Sequence, residues 1–351
     1  MGAQNRNAGS IPQPDSSVLD ADVTEQRCNG DRPICDYEGT DYRAEFWENR
    51  GREYEDLAER IALRRLLPPR GRRLIEIGAG FGRLADLYSG YDQVILLDYA
   101  RSGLREAQTR LGRSGRFLYV AADLYNLPLA PESCDTAVTV RVLHHVADVP
   151  AALRQIAGAL RPGGAYVLEY ANKRNIKAIA RYWLRRQQWS PFAAEPYEFA
   201  PLHYDFHPTW MAQQLARAGF TVEAELAVSH FRLPLLKRLI PPRALAALDG
   251  VLQGASAGWK LAPSVFLRAQ IPGSGTVATA ALFRCPACRS CDLDDRLTAL
   301  VCRTCGAVWS ITDGIYDFKT RIGNFNYPRR AAVGKEHVPH ERTAQRERTS
   351  V

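Results

Sequence analysis

Three glycines at alternate positions, Gly78, Gly80 and Gly82, come directly after the apolar segment Leu74–Ile77. Backbone without Cβ atoms allows a ligand to lie against a turn and against the start of the following helix. The spacing therefore predicts a ligand-binding loop at the end of a strand. Dinucleotide-binding loops carry their third glycine one residue later. Arg83 occupies that position here, which disfavours NAD as the ligand.

Acidic residues accompany the predicted strands. Asp98 ends the second strand, and its carboxylate could accept hydrogen bonds from two ribose hydroxyls. Asp123 follows the third strand and could accept one from an adenine amino group, and Glu76 could favour a ligand ammonium through backbone or water. A single acid of this kind is more often a helix cap or a solvated loop residue. The ordered set predicts one site, because ligands of open α/β sheets bind beyond the carboxyl ends of the strands.

In these residues the sequence resembles the class I S-adenosylmethionine-dependent methyltransferases, especially the type 11 group. The matching segments are residues 76–82, 98, 123–128, 142–146 and 160–167. The resemblance covers about residues 45–270 and implies S-adenosylmethionine as cofactor and a Rossmann-like, seven-stranded sheet whose last strand is antiparallel. It also implies that Asp98 holds the ribose, that Asp123 and Leu124 hold the adenine, and that the glycine loop holds the methionine part. Tyr99, beside Asp98, completes the predicted cofactor-binding set.

The acceptor is harder to predict than the reaction. A sulfonium methyl is already activated, so the protein mainly supplies positioning and exclusion of water. After the fourth strand, some nucleic-acid amino-methyltransferases carry an Asn/Asp-Pro-Pro-aromatic motif. Residues 140–145 read Val-Arg-Val-Leu-His-His instead, which disfavours methylation of an exocyclic base amine by that mechanism.

Several polar residues are candidates for catalysis or for the acceptor pocket. They are His144, His145, His203, Tyr204 and His207. The first two end the fourth predicted strand, and one could act as a base because an unperturbed imidazole titrates at about pH 6.5. Packing or capping is the commoner role of such a histidine. The last three follow a long insertion, where Asp205 and Pro208 could instead mark a helix cap.

Near the C-terminus, four cysteines form the pattern C-x2-C-x13-C-x2-C. They are Cys285, Cys288, Cys302 and Cys305. Four thiolates at this spacing suit a tetrahedral Zn²⁺ ion, and so small a module needs a metal to fold. We therefore predict a structural zinc site, with Cys291 left free, over the alternative of a redox dithiol pair. Residues 284–318 also resemble Trm112-like zinc ribbons, which are partners of methyltransferases for tRNA, rRNA or a translation factor. That resemblance implies a fused stabiliser or substrate platform.

The elements around these residues alternate between β-rich and helical runs from Arg73 to about Gln270. This order predicts an α/β fold with helices on both faces of a mostly parallel sheet. The predicted divisions are a disordered segment 1–40, a methyltransferase domain 41–270 with an acceptor cap at 171–206, a linker 271–283, the zinc ribbon 284–318 and a flexible basic tail 319–351.

The composition is that of a globular protein. The 351 residues are 46% hydrophobic and 24% charged, and the formal net charge of +8 favours anionic partners. The N-terminus lacks a signal-peptide core, and no apolar run approaches the roughly 20 residues that span a membrane. These features predict a cytoplasmic location and leave the oligomeric state open.

Residues 172–186 predict a basic amphipathic helix, which can lie on a membrane, on nucleic acid or on its own domain. Its apolar face comprises Ile176, Ile179, Ala180, Trp183 and Leu184. A second apolar and basic stretch covers residues 231–240 and makes a lipid-like acceptor or a peripheral membrane contact more plausible. Three functions follow: a methyltransferase for a small or lipid-like molecule, which we favour, an RNA or translation-factor methyltransferase, and a non-catalytic S-adenosylmethionine-binding module.

Overall fold

The computed structural model describes residues 25–29, 32–40, 43–44, 47, 51–275 and 281–325. Its strands are β1 Glu25–Asn29, β2 Arg32–Asp36, β3 Gly71–Ile77, β4 Tyr91–Asp98, β5 Phe117–Ala121, β6 Cys134–Thr139, β7 Leu160–Ala171, β8 Tyr197–Ala200, β9 His203–Asp205, β10 Thr221–Val228, β11 Ser264–Gln270, β12 Leu293–Arg296, β13 Ala299–Cys302, β14 Ala307–Thr312 and β15 Ile315–Asn324. Its α-helices are α1 Glu53–Leu66, α2 Arg101–Leu111, α3 Val149–Ala159, α4 Ile176–Trp183, α5 Pro208–Arg217, α6 Pro234–Leu239 and α7 Pro242–Ala255.

The largest sheet has the strand order β10-β11-β7-β6-β3-β4-β5-β15-β14-β13-β12. From β7 to β5 each strand is parallel to its neighbour. Strand β11 is antiparallel to both β10 and β7. The predicted mostly parallel, Rossmann-like sheet with an antiparallel last strand is therefore confirmed. Four further strands extend it beyond the seven that the sequence predicted.

Alternate residues of the central strands enter two hydrophobic clusters on opposite faces of the sheet. In β4, Val94 and Leu96 belong to one cluster, whereas Ile95 and Leu97 belong to the other. The first cluster includes residues of α1, α2 and α7, and the second includes residues of α3 and α5. Strands that are apolar on both faces are typical of parallel sheets covered by helices on each side. The predicted two-sided arrangement of helices is confirmed.

The fourth strand of the catalytic sheet ends earlier than the sequence predicted. The sequence placed His144 and His145 at the end of this strand, but β6 ends at Thr139. Arg141 has a φ of 59°, a left-handed conformation that stops regular pairing. Val142 then accepts a hydrogen bond from the amide of His145 at 2.8 Å and starts the short 3-10 helix Leu143–His145. The chain thus turns away from the sheet just beyond its carboxyl edge.

The strands of the cysteine-rich segment belong to the same large sheet as the seven predicted strands. Strand β15 lies parallel to β5, with Ile315 opposite Tyr119 and Asp317 opposite Ala121. Buried residues of the segment, among them Trp309, share a hydrophobic cluster with the catalytic domain. Strand β15 also continues to Asn324, so the predicted boundary at residue 318 is wrong and the first residues of the predicted tail belong to the ribbon. Residues 276–280 of the linker and 326–351 of the tail lie outside the described residues.

The N-terminal residues that the structure describes are ordered, contrary to the prediction for residues 1–40. Strands β1 and β2 form an antiparallel hairpin. Ile34 is buried, the guanidinium of Arg32 forms an ion pair with Asp148 at 2.9 Å, and the amide of Gly39 donates to Ser102 at 3.2 Å. We call residues 32–40 the N-terminal strap. Its polar composition suggested disorder. The contacts that hold it come from distant parts of the chain, so a local sequence pattern does not reveal them. Residues 1–24 lie outside the described residues.

Helix α4 lies within the predicted basic amphipathic segment, but its apolar face is exposed. Asn175 caps the helix by accepting a hydrogen bond from the amide of Ala178 at 2.9 Å, and Ala178 is buried. Ile176 and Trp183 are 63% and 73% exposed. The sequence left open that this apolar face packs on its own domain. That option is wrong for Ile176 and Trp183. Within the described residues, no helix is long and apolar enough to cross a membrane.

Candidate active site

The glycine loop follows β3 and closes against the end of β4. Gly78, Gly80 and Gly82 all have positive φ angles, of 71°, 50° and 69°. A Cβ atom on Gly78 would overlap the side chain of Val142, so both the backbone angle and the available space require glycine. The amides of Gly78 and Ala79 donate to the carbonyl of Leu97 at 2.8 and 3.0 Å. The loop is therefore pinned beside the carboxyl end of the neighbouring strand.

Asp98 joins the glycine loop to the turn after β4. Its Oδ2 accepts a hydrogen bond from the amide of Gly80 at 2.7 Å, and its Oδ1 accepts one from Ala100 at 2.9 Å. Burial raises the pKa of this carboxyl, and the two amides act in the opposite direction. Each carboxylate oxygen has a second lone pair, so the group can accept ribose hydroxyls while it keeps both backbone contacts.

Glu76 is a buried carboxyl group at the bottom of the same site. It is 4% exposed, and its Oε2 atom has no hydrogen-bond partner among the described residues. Burial raises the pKa of Glu76 to about 8. A buried acceptor without a partner is costly, and a cation would relieve that cost. The ammonium of S-adenosylmethionine fits this requirement, which supports the predicted role of Glu76.

Asp123 has the capping role, one of the two roles that the sequence left in competition. Its Oδ1 accepts a hydrogen bond from the amide of Tyr125 at 2.8 Å and caps the 3-10 helix Leu124–Asn126. The residue also lines the cavity that contains the glycine loop, together with Leu124. Capping fixes the carboxyl group at the cavity wall, where adenine recognition is still available to it.

One cavity unites most of the predicted residues. It holds about 1350 Å³ of empty space, open mouth included. Its walls include Glu76, Gly78, Gly80, Asp98, Tyr99, Asp123, Leu124 and His145. Gly82 does not line the cavity. Its glycine is instead explained by packing, because a Cβ atom at this position would lie only 3.1 Å from the side chain of Leu111.

The N-terminal strap forms one side of this cavity, a feature that the sequence did not reveal. Pro33, Ile34 and Tyr37 line the cavity from the strap, and Trp47 lines it from the following segment. The carboxylate of Glu38 accepts hydrogen bonds from two amides at the start of α2, which ties the strap to the cofactor side. Because no regular hydrophobic pattern marks residues 32–40, only their folded contacts identify them as part of the site.

His145 is a neutral base at the cavity wall. Its Nδ1 lies 3.0 Å from the carbonyl of Leu202, which can only accept, so Nδ1 carries the proton. Its Nε2 lies 3.1 Å from the hydroxyl of Tyr37 and accepts from it. Burial lowers the pKa of His145 to about 4, with a further contribution from the nearby His203. The ring therefore stays uncharged at neutral pH.

The other predicted catalytic residues lie outside the described cavity lining. His144 packs against His145 with ring centroids 4.0 Å apart, and burial lowers its pKa well below the ordinary value. Tyr204 lies on β9 and packs against Phe206. His207 caps α5, where its Nδ1 accepts a hydrogen bond from the amide of Thr209 at 3.2 Å. The structure thus places His207 in the capping role that competed with a role in the pocket.

A buried ionic cluster beside the cavity was missed at the level of sequence. The amide of Arg141 donates to the carboxylate of Glu169 at 3.0 Å, and its guanidinium pairs with Glu59. Glu59 is 1% exposed and also pairs with Arg83 at 2.8 Å. Burial opposes ionisation of Glu59, but the two arginines lower its pKa. Glu169 could have been proposed as a site residue from the sequence, because it lies near the carboxyl end of a predicted strand. The left-handed backbone of Arg141 leaves no signal in the sequence.

The four predicted cysteine ligands meet at one point. Their sulfur atoms all lie within 4.8 Å of one another. The Sγ atoms of Cys285 and Cys305 are 3.7 Å apart, and those of Cys288 and Cys302 are 3.5 Å apart. Tetrahedral zinc with Zn–S bonds of about 2.3 Å requires sulfur separations of about 3.8 Å, so the donor set fits Zn²⁺. Cys291 is exposed and is not one of the four.

The ribbon also contacts both loops that carry the predicted cofactor ligands. The ammonium of Lys319 lies 4.8 Å from the ring centroid of Tyr99. The amide of Arg284 donates to the carbonyl of Pro128 at 2.9 Å, at the end of the segment that begins with Asp123. Arg101 forms an ion pair with Asp317 at 3.4 Å. The cavity wall is therefore supported by the ribbon from behind.

Comparison with known proteins identifies the domain that surrounds this cavity. A family model described as a methyltransferase domain matches residues 75–168. The chain is 28% identical over 178 residues to the O-methyltransferase cnsE of Penicillium expansum, which is 48% of this chain and 64% of that protein. It is 30% identical over 145 residues to a demethylmenaquinone methyltransferase of Roseiflexus, or 40% of this chain and 60% of that protein.

A solved structure gives a likeness of the same kind. The S-adenosylmethionine-dependent methyltransferase of Mesorhizobium loti covers 62% of this chain and 99% of its own, with a TM-score of 0.44 and 22% identity. The chain spans less than two thirds of the length of the two curated relatives. The family model nevertheless covers the glycine loop, Asp98 and Asp123. The part of the chain that matches a methyltransferase domain is thus residues 75–168, which hold the glycine loop, Asp98 and Asp123.

Proposed function

We propose that this chain is an S-adenosylmethionine-dependent methyltransferase that acts on a small or lipid-like acceptor. The observation that carries the proposal is the single cavity in which Glu76, the glycine loop, Asp98 and Asp123 meet a neutral His145. An unpartnered buried carboxyl group next to a pinned glycine loop matches a ligand that is both cationic and closely bound.

Each residue of the cavity has a proposed task when the cofactor is bound. S-adenosylmethionine supplies an activated methyl group on a sulfonium centre. Asp98 binds the ribose, Asp123 and Leu124 position the adenine, and Glu76 balances the ammonium. The N-terminal strap excludes water from this region, which strengthens every polar contact inside. Binding and orientation account for most of the catalysis in such a reaction.

The acceptor side favours a substrate with an acidic proton of its own. The Nε2 atom of His145 accepts a hydrogen bond from the Tyr37 hydroxyl at the cavity wall, so a proton from the acceptor would reach this ring through Tyr37. The low pKa of the ring makes it a weak base. Proton transfer is most effective when the two groups have similar affinities for the proton. A base this weak removes a proton only from a correspondingly acidic group, so we propose a phenolic or enolic acceptor that is acidified by electron-withdrawing substituents, with methylation on oxygen or carbon. The relatives named as an O-methyltransferase and a demethylmenaquinone methyltransferase support this class.

The cysteine cluster is proposed as a structural Zn²⁺ site. Its four sulfur atoms are arranged for a tetrahedral ion, and all positions around such an ion would be filled by protein ligands. The metal would supply the folding energy of the ribbon and, through Lys319 and Arg284, hold the cofactor loops in place.

Calorimetric titration with S-adenosylmethionine tests the cofactor site. We expect Asp98→Ala to abolish measurable binding, because it removes the ribose ligand and releases the amides of Gly80 and Ala100. Asp98→Asn keeps one acceptor oxygen for the loop amides but lacks the carboxylate charge, so a loss of binding in this variant cannot be ascribed to a disrupted loop alone. Asp92→Ala is the matched control, since Asp92 is exposed on the same strand. Unchanged affinity in Asp98→Ala, with the fold intact, contradicts the assignment.

The acceptor class is tested by incubating the protein with methyl-labelled cofactor and an extract of its source organism. We expect the label in the organic phase or the small-molecule fraction. Label in RNA or in protein would instead support the function suggested by the ribbon and the basic segments. Cofactor binding without any label transfer would support a non-catalytic binding module.

A further inference from the structure

Two segments beside the site expose large apolar side chains. Six of these define what we call the apolar rim: Ile176, Trp183, Leu184, Leu233, Leu235 and Leu239. Each of them is between 61% and 73% exposed. Helix α4 and the residue after it carry the first three, and α6 with its N-cap carries the others. Apolar side chains this exposed and this clustered mark an interaction surface.

Both segments lie at the sheet edge where the cofactor cavity opens. Helix α4 follows the carboxyl end of β7, and α6 follows the carboxyl end of β10, two strands separated by β11 alone. The guanidinium of Arg232, just before α6, donates to Ser264 at 3.0 Å at the start of β11. The amide of Ile176 donates to the carbonyl of Leu261 at 2.9 Å, close to the same strand. The connection before β11 thus holds both parts of the rim together.

The chemistry between the two segments supports the same placement. Asp205, on β9, is acted on electrostatically by Arg181 of α4 and by Arg232. Glu169 also interacts electrostatically with Asp205. The carboxylate of Glu169 accepts a hydrogen bond from the amide of Arg141, which lines the cavity. Asp205 therefore lies between the two rim segments and near Glu169, on the side of the proposed acceptor pocket.

The charge on these segments has one sign. Residues 172–194 contain six Lys and Arg and no Asp or Glu, and residues 226–248 contain four and none. An anionic surface complements this charge, whereas the chain's own C-terminal segment 326–351, with more Lys and Arg than Asp and Glu, does not. Five of the six rim side chains are leucine or isoleucine, which offer RNA neither stacking nor hydrogen bonds, and all six, Trp183 included, partition into a lipid interface. Apolar and basic side chains together fit an anionic membrane.

We propose that the apolar rim docks on the surface of an anionic lipid bilayer, so that a lipid-like acceptor enters the site from the membrane. This inference rests on the proposed function for the identity of the acceptor. The docking itself rests on the exposed side chains and on the charge of the two segments. Basic residues bring the protein to the bilayer, and the rim enters the headgroup region.

Vesicle co-sedimentation of the full chain tests the docking. We expect binding to vesicles of phosphatidylcholine with phosphatidylglycerol and at least tenfold weaker binding to phosphatidylcholine alone. The triple variant Trp183→Ser, Leu184→Ser, Leu235→Ser should weaken binding at least tenfold. Leu297→Ser is its control, because Leu297 is 98% exposed on the ribbon, away from the rim. Arg185→Gln with Arg186→Gln should also weaken binding, unlike Arg105→Gln with Arg113→Gln, which are exposed on and after α2.

Several outcomes overturn the proposal. One is the lack of binding to either vesicle, and another is binding that the rim variants leave unchanged. Binding of bulk tRNA that the rim variants weaken, without vesicle binding, would make the rim an RNA surface. A dimer in sedimentation that the triple variant dissociates would make it a contact between copies. Calorimetry with S-adenosylmethionine on the same samples keeps the two proposals apart: vesicle binding without cofactor binding would overturn the proposed function and leave the docking surface standing.

Discussion

Glu76 is a buried carboxyl group whose protonation should respond to a cation that enters the cavity. Burial holds its pKa at about 8, far above the ordinary 4.5 of a glutamate, so the group is mostly protonated at pH 7. A bound ammonium favours the ionised form and lowers that pKa. We expect cofactor binding at pH 7 to release about one proton per chain.

Calorimetry in two buffers of different ionisation enthalpy measures this release. The apparent binding enthalpy should differ between phosphate and Tris for the native chain. In Glu76→Gln, which cannot ionise, the difference should vanish and the affinity should fall. Equal enthalpies in the two buffers for the native chain would show that Glu76 releases no proton when the cofactor binds.

Asp205 makes a separate prediction about stability. Burial raises its pKa to about 6 from an ordinary 3.8. The folded state therefore holds the proton more tightly than the unfolded state, and stability falls as the pH rises from about 4 through about 6. Asp205→Asn should remove this loss and add up to about 3 kcal/mol to the free energy of unfolding at pH 8, with little change near pH 4.

Urea denaturation at the two pH values tests the Asp205 prediction. Asp92→Asn serves as the control because Asp92 is exposed and should show no such pH-dependent gain. A gain in Asp205→Asn of equal size at both pH values would mean that packing, and not ionisation, explains the effect.

At the scale of elements, the ribbon supports the cofactor loops from outside the methyltransferase domain. At the proposed site, zinc would hold Cys285 and its partners, and the amide of the neighbouring Arg284 donates to the backbone carbonyl of Pro128, in the segment that begins with Asp123. Lys319 lies over the ring of Tyr99. Removing the metal should therefore loosen both loops and weaken S-adenosylmethionine binding at least tenfold, although none of the four predicted cysteine ligands lines the cavity.

The zinc prediction is measured by metal analysis and calorimetry. We expect about one zinc per chain, and strong chelators should lower both the metal content and the cofactor affinity. Readdition of Zn²⁺ restores them. Cys302→Ser should behave like the chelated protein, whereas Cys291→Ser, an exposed cysteine outside the cluster, should behave like the native chain. Full cofactor affinity in metal-free protein would separate the ribbon from the site.

The sequence predicted what depends on local pattern. The seven strands of the catalytic sheet and the strand-end positions of Gly78, Asp98 and Asp123 all follow from short runs of residues. It could not predict contacts made across long stretches of chain. Tyr37 reaches His145 over more than 100 residues, and Tyr316 finds Val120 over almost 200. The left-handed Arg141 was equally hidden, because its conformation depends on Glu59 and Glu169 around it.

For the whole molecule, the shared sheet and shared core mean that catalytic domain and ribbon form one structural unit. Trp309 and Phe318 of the ribbon belong to the cluster that includes Ile77 and Leu127. We expect a single cooperative thermal transition in the presence of zinc, because neither part keeps its core when the other unfolds. Two independent domains joined by a linker would give two transitions.

Differential scanning calorimetry distinguishes these outcomes. Tyr316→Pro should split the transition or lower the midpoint, because proline removes an amide from the pairing of β15 with β5. Leu297→Pro, in the exposed connection between β12 and β13, should leave the single transition in place. Two resolved transitions in the native, zinc-loaded chain would contradict the single unit.

The pairing of β15 with β5 also has a consequence for aggregation. Without the ribbon, β5 would end the parallel sheet as a bare row of amide and carbonyl groups, the kind of edge on which other chains add strands. The ribbon moves that edge outward to β12, which is only Leu293–Arg296 and carries Asp294, Asp295 and Arg296. A short, charged strand is a poor template for pairing. The cysteine-rich module thus gives an apolar α/β sheet a protected border, and a chain truncated before residue 281 should self-associate.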